Sequence, residues 1–162
     1  MNTDPETATA LHDSPVSVRA KLAAAWTSFM FLYIYVDYLH LYKPGALEDM
    51  LAGVVWEFDI SQTFVVIALA SIAIPTLMIL LSMALPARVN RAINLVVATL
   101  LIPYSAFNVV GGSWLYFYGL GVVIEVILLA YILRSAWTWP RTASASMPVP
   151  AAPRRSQMQL GR

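Results

Sequence analysis

The chain has 162 residues, of which 59% are hydrophobic and only 12% charged. A soluble domain runs about 45–50% apolar and about 25% charged. No charge occurs from Ile60 through Ala87 or from Ala92 through Ile124, and runs of that length are what a bilayer demands, at about 20 apolar residues per span. These numbers exclude a soluble enzyme, a nucleic-acid-binding domain and a disordered chain. The absence of Cys excludes disulfides, thiol redox chemistry and thiolate metal sites. With His12 in a polar tail, one imidazole remains near the membrane, so a haem held by two histidines of one subunit is excluded as well.

Residues 1–18 mix Asp4, Glu6 and Asp13 with Thr, Ala and Pro and read as a flexible tail. Arg19 and Lys21 precede an apolar stretch that runs on through Phe31–Val36, which predicts a retained first span rather than a cleaved signal. Within a transmembrane domain over residues 19–140, four spans are predicted, at about 20–42, 61–85, 89–110 and 113–135. Lys43-Pro44-Gly45, Pro86 and Gly111-Gly112 separate them, and Ser113 suits an N-cap. Pro75 and Pro103 fall inside spans two and three, where kinks are expected. Between spans one and two, Leu47, Met50, Leu51, Val54 and Phe58 recur at helical spacing and predict a short interfacial amphipathic helix. Residues 141–162 are mostly Ala, Ser, Pro and Arg and read as a disordered basic tail.

Charge placement sets the expected topology. Arg19, Lys21, Arg88, Arg91, Arg134, Arg141, Arg154, Arg155 and Arg162 share one side of a four-span chain. Lys43 alone lies on the other, in a loop with Glu48, Asp49, Glu57 and Asp59. The positive-inside rule then places both termini in the cytoplasm, as expected of a multi-pass protein of a bacterial inner membrane. Tyr35, Tyr38, Tyr42, Trp114, Tyr116 and Tyr118 form an outer aromatic belt, and Trp137 and Trp139 an inner one.

Two carboxyls fall within spans, Asp37 and Glu125. An ionisable group at the centre of an inserted helix costs on the order of 2.5–3.5 kcal/mol, which makes each a candidate for function. Counting at 1.5 Å per residue sets Asp37 roughly 27 Å above Arg19 and Glu125 roughly 14 Å above Arg134, a depth difference of about 13 Å if both arginines mark one surface. No embedded Lys or Arg can pair with either, so each must be neutral, hydrogen-bonded or hydrated. Thr27, Thr76 and Thr99 count to the Glu125 level; Asn108 and Tyr118 count to that of Asp37.

Helical spacing aligns Trp26, Met30, Tyr33 and Asp37 on span one, Asn94, Leu101, Ser105 and Asn108 on span three, and Trp114, Tyr118, Gly121 and Glu125 on span four. The candidate intramembrane polar site is therefore Asp37, Glu125, Tyr33, Asn94, Asn108 and Tyr118. The same stripes fit interhelical hydrogen bonding, and oligomer contacts are a third reading. Asp37 and His40 lie one turn apart, but a metal site needs three or four ligands, so no metal is expected, nor any catalytic group or cofactor. Gly119 and Gly121 fit close helix packing.

Several stretches resemble a family of small, uncharacterised bacterial inner-membrane proteins, a domain of unknown function. They are Trp26-Thr27, Phe31-Leu32-Tyr33-Ile34-Tyr35-Val36-Asp37, Pro44-Gly45, Ile74-Pro75, Leu81-Ser82, Asn90-Arg91, Asn94, Tyr116, Ile124-Glu125 and Ala136-Trp137-Thr138-Trp139-Pro140. The resemblance covers about residues 19–140 and implies four membrane helices; it implies no activity, substrate or cofactor.

The expected fold is thus all-α, an integral membrane four-helix bundle with a short interfacial helix after span one. The expected function is non-enzymatic, through partners, lipids or self-association, with the lipid bilayer, a second copy or another membrane protein as partner and no nucleic acid. The alternative is an oligomeric small-solute or proton-coupled transporter subunit that uses the intramembrane carboxyls.

Overall fold

The computed structural model describes residues 14–107 and 113–140. The expected basic tail, and all but the last few residues of the expected N-terminal tail, lie outside them. Four long helices dominate: α1 (Val18–His40), α3 (Gln62–Ala84), α4 (Ala87–Phe107) and α5 (Leu115–Trp137). Each is long and apolar enough to cross a membrane. Ser17 Oγ accepts the Ala20 N–H and Ser61 Oγ the Phe64 N–H, which caps α1 and α3. Both α3 and α4 stay helical through Pro75 and Pro103. Helix α5 starts two residues later than expected: Trp114 occupies the N-cap with no side-chain capping bond, so Ser113 is not the cap.

The connection between α1 and α3 departs from the expected single amphipathic helix. Gly45 turns at φ +88° and opens α2 (Ala46–Leu51), which is six residues long. Gly53 at φ +84° then ends the helical path. The β-branched pair Val54-Val55 forms β1 (Val54–Val55), which pairs antiparallel with β2 (Phe58–Asp59) in the register Val54↔Asp59 and Val55↔Phe58. Val54 and Phe58, read at helical spacing, thus belong to a hairpin. Its turn holds Trp56 at φ +56°, a left-handed conformation costly for an aromatic residue.

Helix α1 packs antiparallel between α3 and α5, and α4 packs against α5. The seam between α3 and α4 is sparser than these three, although only Leu85 and Pro86 separate these helices. Helix α3 is correspondingly the most exposed, with Pro75, Met78 and Ser82 its only buried residues. Val65, Val66, Ile67, Leu69, Ile74, Leu77 and Leu80 face outward, an apolar surface that suits lipid rather than water.

Polar groups hold the termini end together. Trp26 on α1 donates its indole N–H to Asn94 Oδ1 on α4 at 2.7 Å. Ser82 on α3 donates to the same oxygen at 3.5 Å. The Asn94 amide donates to the Asn90 carbonyl at 2.9 Å and to Asn90 Oδ1 at 2.7 Å. Asn90 Nδ2 in turn donates to the Ser82 carbonyl at 2.6 Å. All four side chains are sealed from solvent. Because an indole N–H can only donate, it fixes which end of the Asn94 carboxamide faces α1. Around this layer Arg19 donates to the Met83 carbonyl and Arg91 to that of Ala136, with the Arg91 guanidinium 5.7 Å from the Trp137 ring centroid.

Above it lies an apolar layer of Phe29, Met30, Met78, Ala98 and Leu129. Replacing Asn94 by Leu leaves the Trp26 indole and Asn90 Oδ1 without partners. The expected loss is about 1–2 kcal/mol of stability in lipid, measured by reversible unfolding in mixed micelles. A double-mutant cycle of Asn94→Leu with Trp26→Phe is expected to be non-additive, and additivity would show that the pair is not coupled.

Candidate functional site

The loop end is built differently. Val36 on α1 meets α5 at Gly121, where a Cβ would come within 3.0 Å of Val36 Cγ2. Close packing is thus the role of Gly121; Gly119 has open space around its Cβ position. The Val36–Gly121 contact fixes the register of the two helices. Asp37 lies one residue above it and Glu125 four below, an axial separation of about 7–8 Å. The 13 Å expected from counting is too large, because the same register puts Arg134 about one helical turn above Arg19.

Glu125 is 2% exposed, and its Oε2 has no hydrogen-bond partner among the described residues. Ser105 on α4 is its polar neighbour, and Ser105 Oγ is likewise buried. Tyr33 on α1 meets Tyr104 on α4, hydroxyl to hydroxyl at 3.2 Å. Glu125, Ser105, Tyr33 and Tyr104 thus form a second polar layer, separated from the Asn94 layer by apolar side chains. Thr27, Thr76 and Thr99, expected at this depth, each bond a carbonyl one turn back on their own helix and do not join it.

Over this layer opens a cavity of about 660 Å³, within the range of small-molecule pockets. Asp37 and His40 of α1 and Tyr118 of α5 line its base, and Lys43, Asp49 and Met50 come from the loop above. His40 Nδ1 and the Tyr118 hydroxyl are hydrogen-bonded, joining α1 to α5 at the floor. Trp56, Phe64 and Phe107 bring the hairpin, α3 and α4 together at the wall. The Trp56 ring lies 6.4 Å from Phe107 and 5.9 Å from Phe58, which stacks on Phe64 at 6.1 Å. Aromatic contacts thus bridge the sparse α3–α4 seam where the two helices are farthest from their shared turn.

Of the predicted site residues, the structure gathers Asp37, Glu125, Tyr33 and Tyr118 into this half of the molecule. Asn94 belongs to the separate layer at the termini end, and Asn108 lies outside the described residues. His40, Tyr104, Trp56, Phe64 and Phe107 join the site without having been predicted for it. Trp56 had a readable signal, since Gly53 followed by Val54-Val55-Trp56 favours a hairpin over a continued helix. Among the described residues no group of three or more His, Asp or Glu could hold a metal ion.

Four apolar helices, a polar layer at one end and a hairpin-roofed cavity at the other define a small helical protein of membrane-spanning type. The chain belongs to a family of unknown function, DUF6326, whose model matches residues 16–146. No curated protein and no solved structure matches it.

The Val36–Gly121 contact yields a packing test. Gly121→Leu is expected to cost about 1–3 kcal/mol by overpacking, with partial recovery when Val36 is changed to Ala. Gly119→Leu should be near neutral, and equal losses at both glycines in an unfolding assay would contradict the packing described.

Proposed function

We propose that this protein binds a small solute in the cavity beneath its hairpin and acts by recognition, not catalysis. The observation that carries this reading is the cavity itself. It is a space of about 660 Å³ that combines ionisable groups with an aromatic wall and sits above buried polar side chains. The distribution of basic residues supports a place in a bacterial cytoplasmic membrane with both termini inside and the cavity facing outward. A recognition subunit of this kind would hand its signal or its solute to a partner in the bilayer, to lipid or to a second copy. The outward apolar face of α3 is surface available for such contact.

A second reading, an oligomeric small-solute or proton-coupled transporter subunit, draws on Glu125, a sealed carboxyl with an oxygen that has no partner among the described residues. Against it stands the buried apolar layer of Phe29, Met30, Met78, Ala98 and Leu129, which separates the two polar layers among the described residues.

Because the natural chain contains no cysteine, single cysteines report access cleanly. Val54→Cys, at the cavity wall, should react with a membrane-impermeant maleimide on intact cells, whereas Met78→Cys should stay unreactive from both sides. Failure of Val54→Cys to react from outside would overturn the outward cavity. Labelling of Met78→Cys would instead favour the transporter.

A further inference from the structure

We propose that the cavity selects an organic monocation with an apolar body, an ammonium-type ligand; the inference rests on the solute-binding reading above. Three independent features converge on that chemistry. The first is the charge of the lining: Asp37 and Asp49 stand against Lys43 alone, while His40 is engaged with Tyr118. The second is the field around the mouth. Glu48, Glu57 and Asp59 lie in the same loop, so a cation approaching it is attracted and an anion repelled. The third is the aromatic wall. Trp56, Phe64 and Phe107 come from three different elements and line one space. Ring faces attract a cation through their quadrupole, and a cage of rings is the recurring means of holding a substituted ammonium.

The size agrees. A space of about 660 Å³ is far larger than a bare metal ion requires, and no cluster of three ligating side chains occurs among the described residues. An apolar body would contact Met50, Val54 and Val55, while its charged end lies between carboxylate and aromatic ring. Trp56 is positioned for this by the hairpin, at the φ of +56° that an aromatic residue rarely adopts. Holding the indole at the cavity wall is what that backbone conformation accomplishes.

The test uses the full chain in lipid nanodiscs and three probes of similar body: benzyltrimethylammonium, the uncharged benzyl alcohol and the anion benzenesulfonate. Titration calorimetry should show saturable binding of the cation and weaker or no binding of the other two. Asp37→Asn, checked for folding by thermal unfolding, should raise the Kd of the cation about tenfold, the effect of losing one charge-assisted contact. Asp49→Asn serves as a second variant should the first fold poorly, and Trp56→Leu should weaken binding several-fold. Thr99→Val, whose hydroxyl bonds its own helix away from the cavity, should leave it unchanged. The bound cation should also slow maleimide labelling of Val54→Cys in proportion to occupancy. Equal affinity for all three probes would overturn cation selection while leaving the solute-binding reading in place. Absent cation binding, or binding without protection of Val54→Cys, would also overturn it. Failure of the solute-binding reading would show separately, as a Val54→Cys that does not react even without probe in nanodiscs, where both faces are accessible.

Discussion

The carboxamide of Asn94 is the point on which three of the four long helices converge. It takes the Trp26 indole proton from α1 and the Ser82 hydroxyl proton from α3, and it returns its own protons to Asn90 on α4. In lipid, apolar surface gains little by leaving one hydrocarbon environment for another, so directional bonds and close contacts must choose the partners. The layer at the termini end supplies those bonds. Arg91 adds α5 to the set by donating to the Ala136 carbonyl near that helix's C-terminus, where the dipole favours a cation.

With that end secured, the loop end is free to be hollow. The α3–α4 seam is sparse, yet Trp56, Phe58, Phe64 and Phe107 span it with ring contacts. The hairpin that delivers Trp56 is therefore as much a structural clasp as a roof. Between clasp and base, the close approach of Val36 to Gly121 marks the height of Asp37 relative to Glu125. Small errors in that contact would move both carboxyls relative to the cavity, which ties the chemistry of the site to the packing of two helices.

The four spans were legible because a hydrocarbon slab requires uncharged apolar runs of such length and a water-surrounded core does not, and Asp37 and Glu125 stood out within them. The connecting loop was not legible in the same way. Leu47, Met50, Leu51, Val54 and Phe58 satisfy a helical period, but the positive φ at Gly53 and the β-branched pair after it redirect the chain. Asn94 shares a stripe with Ser105 along the helix, as its spacing predicts. The two are nonetheless separated by an apolar layer that only the arrangement of neighbouring helices reveals. Depth counted from Arg19 and Arg134 erred for a related reason, since terminal arginines need not lie at one level and the Val36–Gly121 contact shows that they do not.

Helix α3, with Pro75, Met78 and Ser82 as its only buried residues, has a consequence for thermodynamics. The large heat-capacity change of protein unfolding comes from apolar surface newly exposed to water. When the helices separate inside a bilayer, the outward side chains of α3 stay in hydrocarbon and the newly exposed ones join them. The heat-capacity term is then small, and the stability of the helix assembly varies almost linearly with temperature, without the dome that gives soluble domains a cold-denatured state.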